Sequence, residues 1–160
     1  MGNHEELLES FMRDASVLRR WCHLGGLQTL NSYGVTIRND LNDETCEKAR
    51  QALQSAMPTH HLNFLSSLKI SLELKNHFFC HAGVRPGIPF DQQTQQDLLW
   101  IRDDFLTSEC DFVKTVVHGH TPVSQAELLP NRINIDTAAF ASGHLTCLVI
   151  EGGNYRLLTT

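Results

Sequence analysis

Met1-Gly2-Asn3-His4-Glu5 has the composition of a turn that leaves a strand and enters a helix, and the rest of the chain is interpreted from it. Gly2 permits a sharp turn, and Glu5 would lie at the positive end of the helix that follows. Between them, Asn3 offers an amide oxygen and His4 offers an imidazole nitrogen. The stretch therefore predicts a polar site beside a helix N-terminus, with donors that suit a metal ion.

Two other stretches have the same character: Phe79-Cys80-His81-Ala82-Gly83-Val84 and Val116-Val117-His118-Gly119-His120-Thr121-Pro122. Each places a histidine directly after an apolar, β-prone run and beside a glycine. Open α/β sheets bind their ligands where strands end. The sequence therefore predicts an α/β fold with a mixed sheet, whose functional residues lie at the ends of its strands.

Composition narrows the class of protein. The chain has 160 residues, 41% of them hydrophobic and 19% charged, and these values predict one soluble domain with a substantial core. The net charge of −5 without a basic block disfavours nucleic-acid binding. The apolar runs are too short to span a bilayer, and the polar start is unlike a secretory signal. The five cysteines are odd in number and form no Cys-x-x-Cys pair, so we expect free thiols in the cytoplasm.

Helical periodicity dominates the first part of the chain, from about residue 4 to 68. Apolar residues spaced by three and four predict a helix from Glu5 to about Arg20, broken near Ala15. A short helix ends at Tyr33-Gly34, and a polar loop follows. Two further helices are predicted, one from Glu44 to Met57 and a short one after Pro58.

Strand patterns dominate from about residue 69 to 160. Ile70, Leu72 and Leu74 alternate with polar residues, which predicts a half-buried strand, with a turn at Asn76-His77. Phe78-Phe79-Cys80 predicts a strand buried on both faces. The remaining predictions are a helix over 92–106 interrupted around Trp100, strands over 114–117 and 132–135, and a terminal hairpin over 145–158. We expect residues 1–160 to form a single domain.

Asn3, His81 and His120 form the predicted metal shell. Amide oxygen and imidazole nitrogen suit manganese, iron or zinc better than calcium or magnesium. All three donors are neutral, so an ion held by them alone would be poorly neutralised, and a carboxylate ligand is missing. Each histidine taken alone could equally be a structural residue.

His4 and Arg102 are the candidate catalytic residues. An imidazole with a pKa near neutrality is suited to protonating a leaving alkoxide, although His4 could also cap the helix or support a metal ligand. Arg102 could hold phosphate oxygens bidentately. Residue chemistry alone favours another role for Arg102, an ion pair with Asp103 or Asp104.

Three further residues, Arg85, His118 and Cys80, lie within or beside these motifs. Arg85 is a weaker candidate for binding an oxyanion. His118 lies two residues before His120, so on a strand the two would face one side, and His118 could be an alternate ligand or support one. Cys80, in the middle of a predicted strand, is expected to be buried and inert.

The order of these motifs resembles the calcineurin-like metallophosphoesterases, in particular the bacterial and phage PPP-type serine/threonine protein phosphatases. The matching motifs are Gly2-Asn3-His4-Glu5, His81-Ala82-Gly83, Trp100-x-Arg102, Gly119-His120-Thr121-Pro122 and Ile135-Asp136-Thr137. The resemblance implies a dinuclear enzyme with manganese, iron or zinc, in which a metal-bound hydroxide attacks phosphorus. Asn3, His81 and His120 would bind the second metal, His4 would protonate the leaving oxygen, and Arg102 would hold the phosphate.

The chain departs from that family at one point. The family's Gly-Asp-x-His-Gly and Gly-Asp-x-x-Asp-Arg-Gly motifs, which supply the first metal's ligands and the bridging aspartate, are not found in the 160 residues. The resemblance therefore implies an incomplete metallophosphoesterase β-sandwich that lacks its N-terminal strands, with only the second-metal half-site and impaired activity.

Three functions remain open on this basis. The first is dephosphorylation of a phosphoserine or phosphothreonine protein. The second is hydrolysis of dinucleoside tetraphosphates by the same fold. The third is an inactive remnant that binds a phosphorylated partner or a metal. No membrane or nucleic-acid partner is expected for any of them.

Overall fold

Helices form the first compact unit of the protein and strands dominate the second, in a computed structural model that describes residues 1–38 and 40–160. The first unit comprises Met1 and residues 3–68, and the second comprises Gly2 and residues 69–160. Residue 39, in the predicted polar loop, lies outside the described residues.

The helices of the first unit follow the predicted periodicity. They are α1 (Asn3–Arg13), a 3-10 turn (Ala15–Val17), α2 (Leu18–Cys22), α3 (Gly26–Ser32), α4 (Asp43–Ala56) and α5 (Thr59–Ser67). The predicted break near Ala15 is confirmed. There the Asp14 side chain accepts a hydrogen bond of 2.9 Å from the backbone N–H of Ser16, which begins a new turn in place of continuing α1.

Trp21 is the centre of packing in this unit. It is buried, its ring centroid lies 5.4 Å from that of Phe11, and Gly26 lies directly against it. A Cβ atom on Gly26 would be only 2.6 Å from Cδ2 of Trp21, so the glycine is required by this contact. Arg50 and Gln54 of α4 both donate to the carbonyl of Met12, at 3.2 and 3.1 Å, and tie α4 to the end of α1.

The second unit contains a five-stranded mixed sheet of order β1-β2-β3-β5-β4. Its central strands β2, β3 and β5 are parallel, and the edge strands β1 and β4 are antiparallel to their neighbours. The strands are β1 (Ser71–Leu74), β2 (His77–Cys80), β3 (Thr115–His118), β4 (Glu127–Leu128) and β5 (Arg132–Asn134). The predicted mixed sheet is thus confirmed.

Helices and a hairpin complete this unit. A 3-10 turn (Phe90–Gln92) precedes α6 (Gln95–Trp100) and α7 (Asp103–Leu106), and the gap between these two confirms the interruption predicted near Trp100. The short helix α8 (Ala139–Ser142), like β4, was not predicted. The final strands β6 (Thr146–Glu151) and β7 (Asn154–Thr159) pair as the predicted hairpin. Gly152 and Gly153, both with positive φ, form its turn.

The core of the second unit packs α6 and α7 against the sheet. Leu98, Ile101 and Phe105 contact Phe78 of β2 and Val116 of β3. Gly83 allows this close approach, because a Cβ atom there would lie 2.2 Å from Cδ1 of Phe105. Gly83, two residues after His81, is therefore required by its contact with Phe105 in the core.

Three strand predictions are wrong in detail. Leu72 and Leu74 of β1 are 40% and 51% exposed, so the apolar face of this strand is not buried. In β2, Phe78 is buried while Phe79 and Cys80 are only partly buried. The turn between β1 and β2 is Lys75-Asn76, with Lys75 at φ +49°, so His77 is already part of β2. Alternation identifies the two faces of a strand but not what covers each face.

Among the described residues, none of the helices combines the length and the apolar character that crossing a bilayer requires.

Candidate functional site

The carboxyl ends of the parallel strands β2, β3 and β5 lie side by side. His81 directly follows β2 and His118 ends β3. Hydrogen bonding continues just past the strands, because Gly119 N–H donates to the His81 carbonyl at 2.9 Å and Ile135 N–H donates to the His118 carbonyl at 3.0 Å. The residues after these three strands are therefore held next to one another, as expected for a parallel sheet.

His81 and His120 are brought together at this edge. The Nε2 atom of His81 lies 3.0 Å from the Nδ1 atom of His120, and the ring centroids are 4.9 Å apart. His120 is 8% exposed and adopts φ +67°, a left-handed conformation for a residue with a side chain. Such a conformation costs about 1–2 kcal/mol, and strain of this kind is often found at functional sites.

The separation of the two nitrogens fits a metal ion. Two nitrogen ligands about 2.1 Å from one ion are about 3.0 Å apart at right angles and about 3.4 Å apart in a tetrahedron, so the hydrogen-bonding distance of 3.0 Å between His81 and His120 is also compatible with a shared ion. Within residues 1–38 and 40–160, no group of three or more His, Cys, Asp or Glu side chains is arranged to hold a metal. The pair therefore suits part of a coordination shell, and the remaining donors must be of another kind or lie elsewhere.

Asn3 and His4 belong to the first unit. Asn3 begins α1 and is buried, whereas His4 is exposed. The Cε1 atom of His4 lies 3.9 Å from the position that a Cβ atom of Gly25 would take. The convergence of Asn3 and His4 with His81 and His120 stays a prediction.

The side chain of His118, which is buried, packs against the core. Its ring packs edge-to-face with Phe105 at 4.9 Å, and its Nδ1–H donates to the Gly119 carbonyl at 3.1 Å. Its Nε2 atom is buried, with no hydrogen-bond partner in the described part of the chain. Burial lowers the pKa of His118 to about 4, so the imidazole is neutral at pH 7. His118 and His120 thus contact different neighbours, because the left-handed residue follows the end of β3.

Arg102 lies in the gap between α6 and α7, beside the turn that carries His120. Its Nη1 atom donates to the hydroxyl of Thr121 at 3.0 Å. Trp100, two residues earlier, has its ring centroid 6.1 Å from that of His120. The motifs Trp100-x-Arg102 and Gly119-His120-Thr121 are therefore adjacent in space.

The ion pair considered for Arg102 is formed by a different arginine. Arg85 bridges two aspartates, with Nη2 lying 2.5 Å from Oδ1 of Asp97 and Nη1 lying 2.9 Å from Oδ2 of Asp104. In the described residues Arg102 pairs with neither Asp103 nor Asp104, so that expectation is wrong. Asp103 and Asp104 are next to Arg102 in the sequence, but Asp104 is in the first turn of α7 and its carboxylate contacts Arg85.

A cavity of about 390 Å³ opens beside the histidine pair. Its polar lining includes His81, His120, Asp136 and Thr137, and its apolar lining includes Phe79, Val117, Ile135 and Leu145. Asp136 supplies a carboxylate to this wall. A Cβ atom on Gly119 would lie 3.3 Å from Cβ of Asp136, so Gly119 permits the close approach of the two segments.

Asn134 is a structural element of the site that sequence reasoning did not identify. It is 1% exposed. Its Nδ2 donates to the Thr121 carbonyl at 2.9 Å, and its Oδ1 accepts from Asp136 N–H at 3.0 Å. Its place at the end of an apolar strand, two residues before Asp136, is the signal that could have revealed it. The buried amide joins the segments that follow β3 and β5.

Comparison with known proteins supports the fold. No family model matches the chain. It is 27% identical to an asymmetrical bis(5′-nucleosyl)-tetraphosphatase PrpE of Bacillus anthracis (strain CDC 684 / NRRL 3495), over 71% of this chain and 54% of that protein. It is 28% identical to the protein of the same name from Bacillus thuringiensis (strain Al Hakam), over 58% of this chain and 48% of that protein. The chain thus spans about half the length of the curated relatives that it matches.

A crystal structure of a protein provisionally described as a diadenosine tetraphosphatase superposes with a TM-score of 0.53. It covers 70% of this chain and 61% of that one, at 21% identity. This likeness concerns the fold. The chain and that structure therefore share a mixed α/β architecture, the fold class that the strand and helix patterns predict.

Proposed function

We propose that this chain is part of a metal-dependent phosphoester hydrolase. The observation that carries the proposal is the 3.0 Å approach of His81 Nε2 to His120 Nδ1, beside an arginine hydrogen-bonded to the same turn. A nitrogen pair that can bind a cation, placed next to a guanidinium that can bind phosphate, is a combination suited to phosphoester hydrolysis. The relatives are named as tetraphosphatases, that is, as enzymes that hydrolyse bonds to phosphate, and this supports the proposal.

Each residue has a proposed role. His81, His120 and Asn3 would hold a divalent ion, which would supply positive charge to a phosphoryl oxygen. Arg102 binds two oxygens of the phosphate and orients the group, with its Nη1 bond to Thr121 fixing the guanidinium. Water forms the new bond to phosphorus, and His4 donates a proton to the leaving oxygen as the ester P–O bond breaks. Manganese, iron or zinc suits these donors.

We propose a phosphoserine or phosphothreonine protein as the substrate. Two arginines and three aspartates line the shallow cavity of about 270 Å³ around Arg102, so its formal charge is −1. Asp97 and Asp104 already pair with Arg85. A polyphosphate chain would bring several more negative charges into these surroundings, whereas a phosphorylated side chain brings only one phosphate.

Hydrolysis of a dinucleoside tetraphosphate is the second candidate, because the relatives and the structural neighbour carry names of that kind. We further propose a cytoplasmic location, supported by five cysteines that are all free thiols. Neither nucleic acid nor membrane is proposed as a partner.

Metal binding is the first test. Isothermal titration with Mn²⁺ should give a site in the wild type that is lost in His81→Ala and His120→Ala. His23→Ala serves as the matched control, since His23 is exposed and is not part of the site. Equal Mn²⁺ affinity in wild type and His120→Ala would refute the metal site.

Substrate class is tested separately, with Mn²⁺ present and with p-nitrophenyl phosphate, a phosphothreonine peptide and diadenosine tetraphosphate compared. We expect little turnover by the 160-residue chain, because it contains neither of the family's motifs for the first metal. Residual activity should favour the peptide. Preference for diadenosine tetraphosphate would establish the second candidate, and turnover like that of an intact enzyme would contradict the expected impairment.

A further inference from the structure

We infer that Thr121 is a positioning residue that sets Arg102 for phosphate and links it to the turn that carries His120. This inference rests on the proposed function, since it assigns Arg102 to a bound phosphate. It concerns a residue for which neither motif chemistry nor the metal site provides a role.

The side chain of Thr121 fixes an otherwise exposed arginine. Arg102 lies between two short helices, at φ −132° and ψ −101°, and its side chain is exposed. An unrestrained arginine loses about 2 kcal/mol of rotamer entropy when it is ordered. The 3.0 Å bond from Nη1 to Thr121 Oγ1 orders the guanidinium before phosphate arrives, so less of this cost falls on binding.

The backbone of Thr121 is itself held from two directions. Its N–H donates to the Gly119 carbonyl at 2.8 Å, and its carbonyl accepts from Asn134 Nδ2 at 2.9 Å. Asn134 is buried and bonded in turn to Asp136 N–H at 3.0 Å. Thr121, Asn134 and Asp136 thus form a hydrogen-bonded bracket at the ends of β3 and β5. Arg102 is bonded to this bracket through Thr121.

The bracket also connects Arg102 to the histidine pair. His120 precedes Thr121 directly, and its ring lies 3.0 Å from His81. The distance between the metal ligands and the phosphate-binding arginine is thus set by one residue. In a reaction that depends on placing phosphate against a cation, an error of about 1 Å can cost a hundredfold in rate.

Thr121→Val tests this role, because valine keeps the shape of threonine and removes the hydrogen-bond acceptor. Thr121 is only partly buried, so the variant should fold, and circular dichroism and its melting temperature verify this. We expect inorganic phosphate to bind the Mn²⁺-loaded variant about tenfold more weakly, the loss typical of one hydrogen bond to a charged group. Mn²⁺ affinity should be unchanged, and Thr121→Ser should restore phosphate binding.

A double-mutant cycle separates positioning from a general structural effect. In an Arg102→Ala background, Thr121→Val should produce no further loss of phosphate affinity, because the two residues act through one bond. An equal loss in both backgrounds would overturn the inference.

A measurement without phosphate keeps this inference distinct from the proposed function. NMR relaxation of the Arg102 Nε–H group should show a lower order parameter in Thr121→Val than in wild type or Thr121→Ser. If that change occurs while wild type binds no phosphate, the positioning role stands and the proposed function fails. If the order parameter and phosphate affinity are both unchanged, Thr121 does not position Arg102.

Discussion

Gly83→Ala should damage the core of the second unit through a single methyl group. The added Cβ atom would lie 2.2 Å from Cδ1 of Phe105 and 2.6 Å from its Cγ, whereas carbon atoms pack best at about 3.5–4.0 Å. Phe105 is 0% exposed, so its ring cannot move aside by the required distance of about 1.3 Å without disturbing its neighbours. The structure therefore predicts a loss of stability and not a local adjustment.

The magnitude follows from two contributions. Inserting a methyl group into a packed core costs about 1–3 kcal/mol. The backbone at Gly83, with φ +153°, adds about 1 kcal/mol of conformational strain when a side chain is introduced. The total of about 2–4 kcal/mol corresponds to a melting temperature lower by roughly 5–15 °C. Mn²⁺ affinity should fall too, because Gly83 lies two residues after His81.

Urea unfolding followed by circular dichroism provides the measurement, with Gly87→Ala as the matched control. Gly87 also has a positive φ, +79°, but no atom lies within 4 Å of its added Cβ atom, so we expect a loss of only about 1 kcal/mol, from the backbone conformation alone. The double variant Gly83→Ala/Phe105→Leu should recover part of the stability that Gly83→Ala loses. Equal destabilisation by the two glycine substitutions would refute the steric argument.

Three further predictions concern other parts of the chain. Burial raises the pKa of Cys80 to about 12, so a thiol reagent at pH 8 should label the exposed Cys110 and Cys147 and spare Cys80 until the protein unfolds, as mass spectrometry of the labelled peptides can show. Arg85 holds the pKa of Asp97 below its usual range. The ionised Asp97 therefore stabilises the folded state above about pH 4, and this contribution to the free energy of unfolding is lost as pH falls through the lowered pKa. Asp97→Asn should therefore be less stable than wild type by about 0.5–1 kcal/mol at pH 7, with the difference in urea midpoint closing in acid; a constant difference would exclude the ion pair. Gly26→Ala places a Cβ atom 2.6 Å from Trp21, so unfolding monitored by tryptophan fluorescence should show about 1–3 kcal/mol less stability, and an unchanged midpoint would contradict the packing.

Local patterns were enough for much of the fold. The break before Ala15, the gap between α6 and α7 and the glycine hairpin between β6 and β7 were all predicted, because caps, periodicity and positive-φ turns depend on residues close together in the chain. The strand-end histidines were predicted for the same reason, since His81 directly follows an apolar run and His120 lies three residues after Val117.

The sequence by itself therefore determined which segments become helices or strands and which residue types stand at the strand ends. Only the tertiary structure decided which side chains meet there. In the folded protein His81 contacts His120, and His118 packs against Phe105. Arg85 pairs with Asp97 and Asp104, and Arg102 donates a hydrogen bond to Thr121. These contacts join residues up to 39 positions apart. They depend on strand order, which no local pattern encodes, because a short window of sequence does not contain the partner strand.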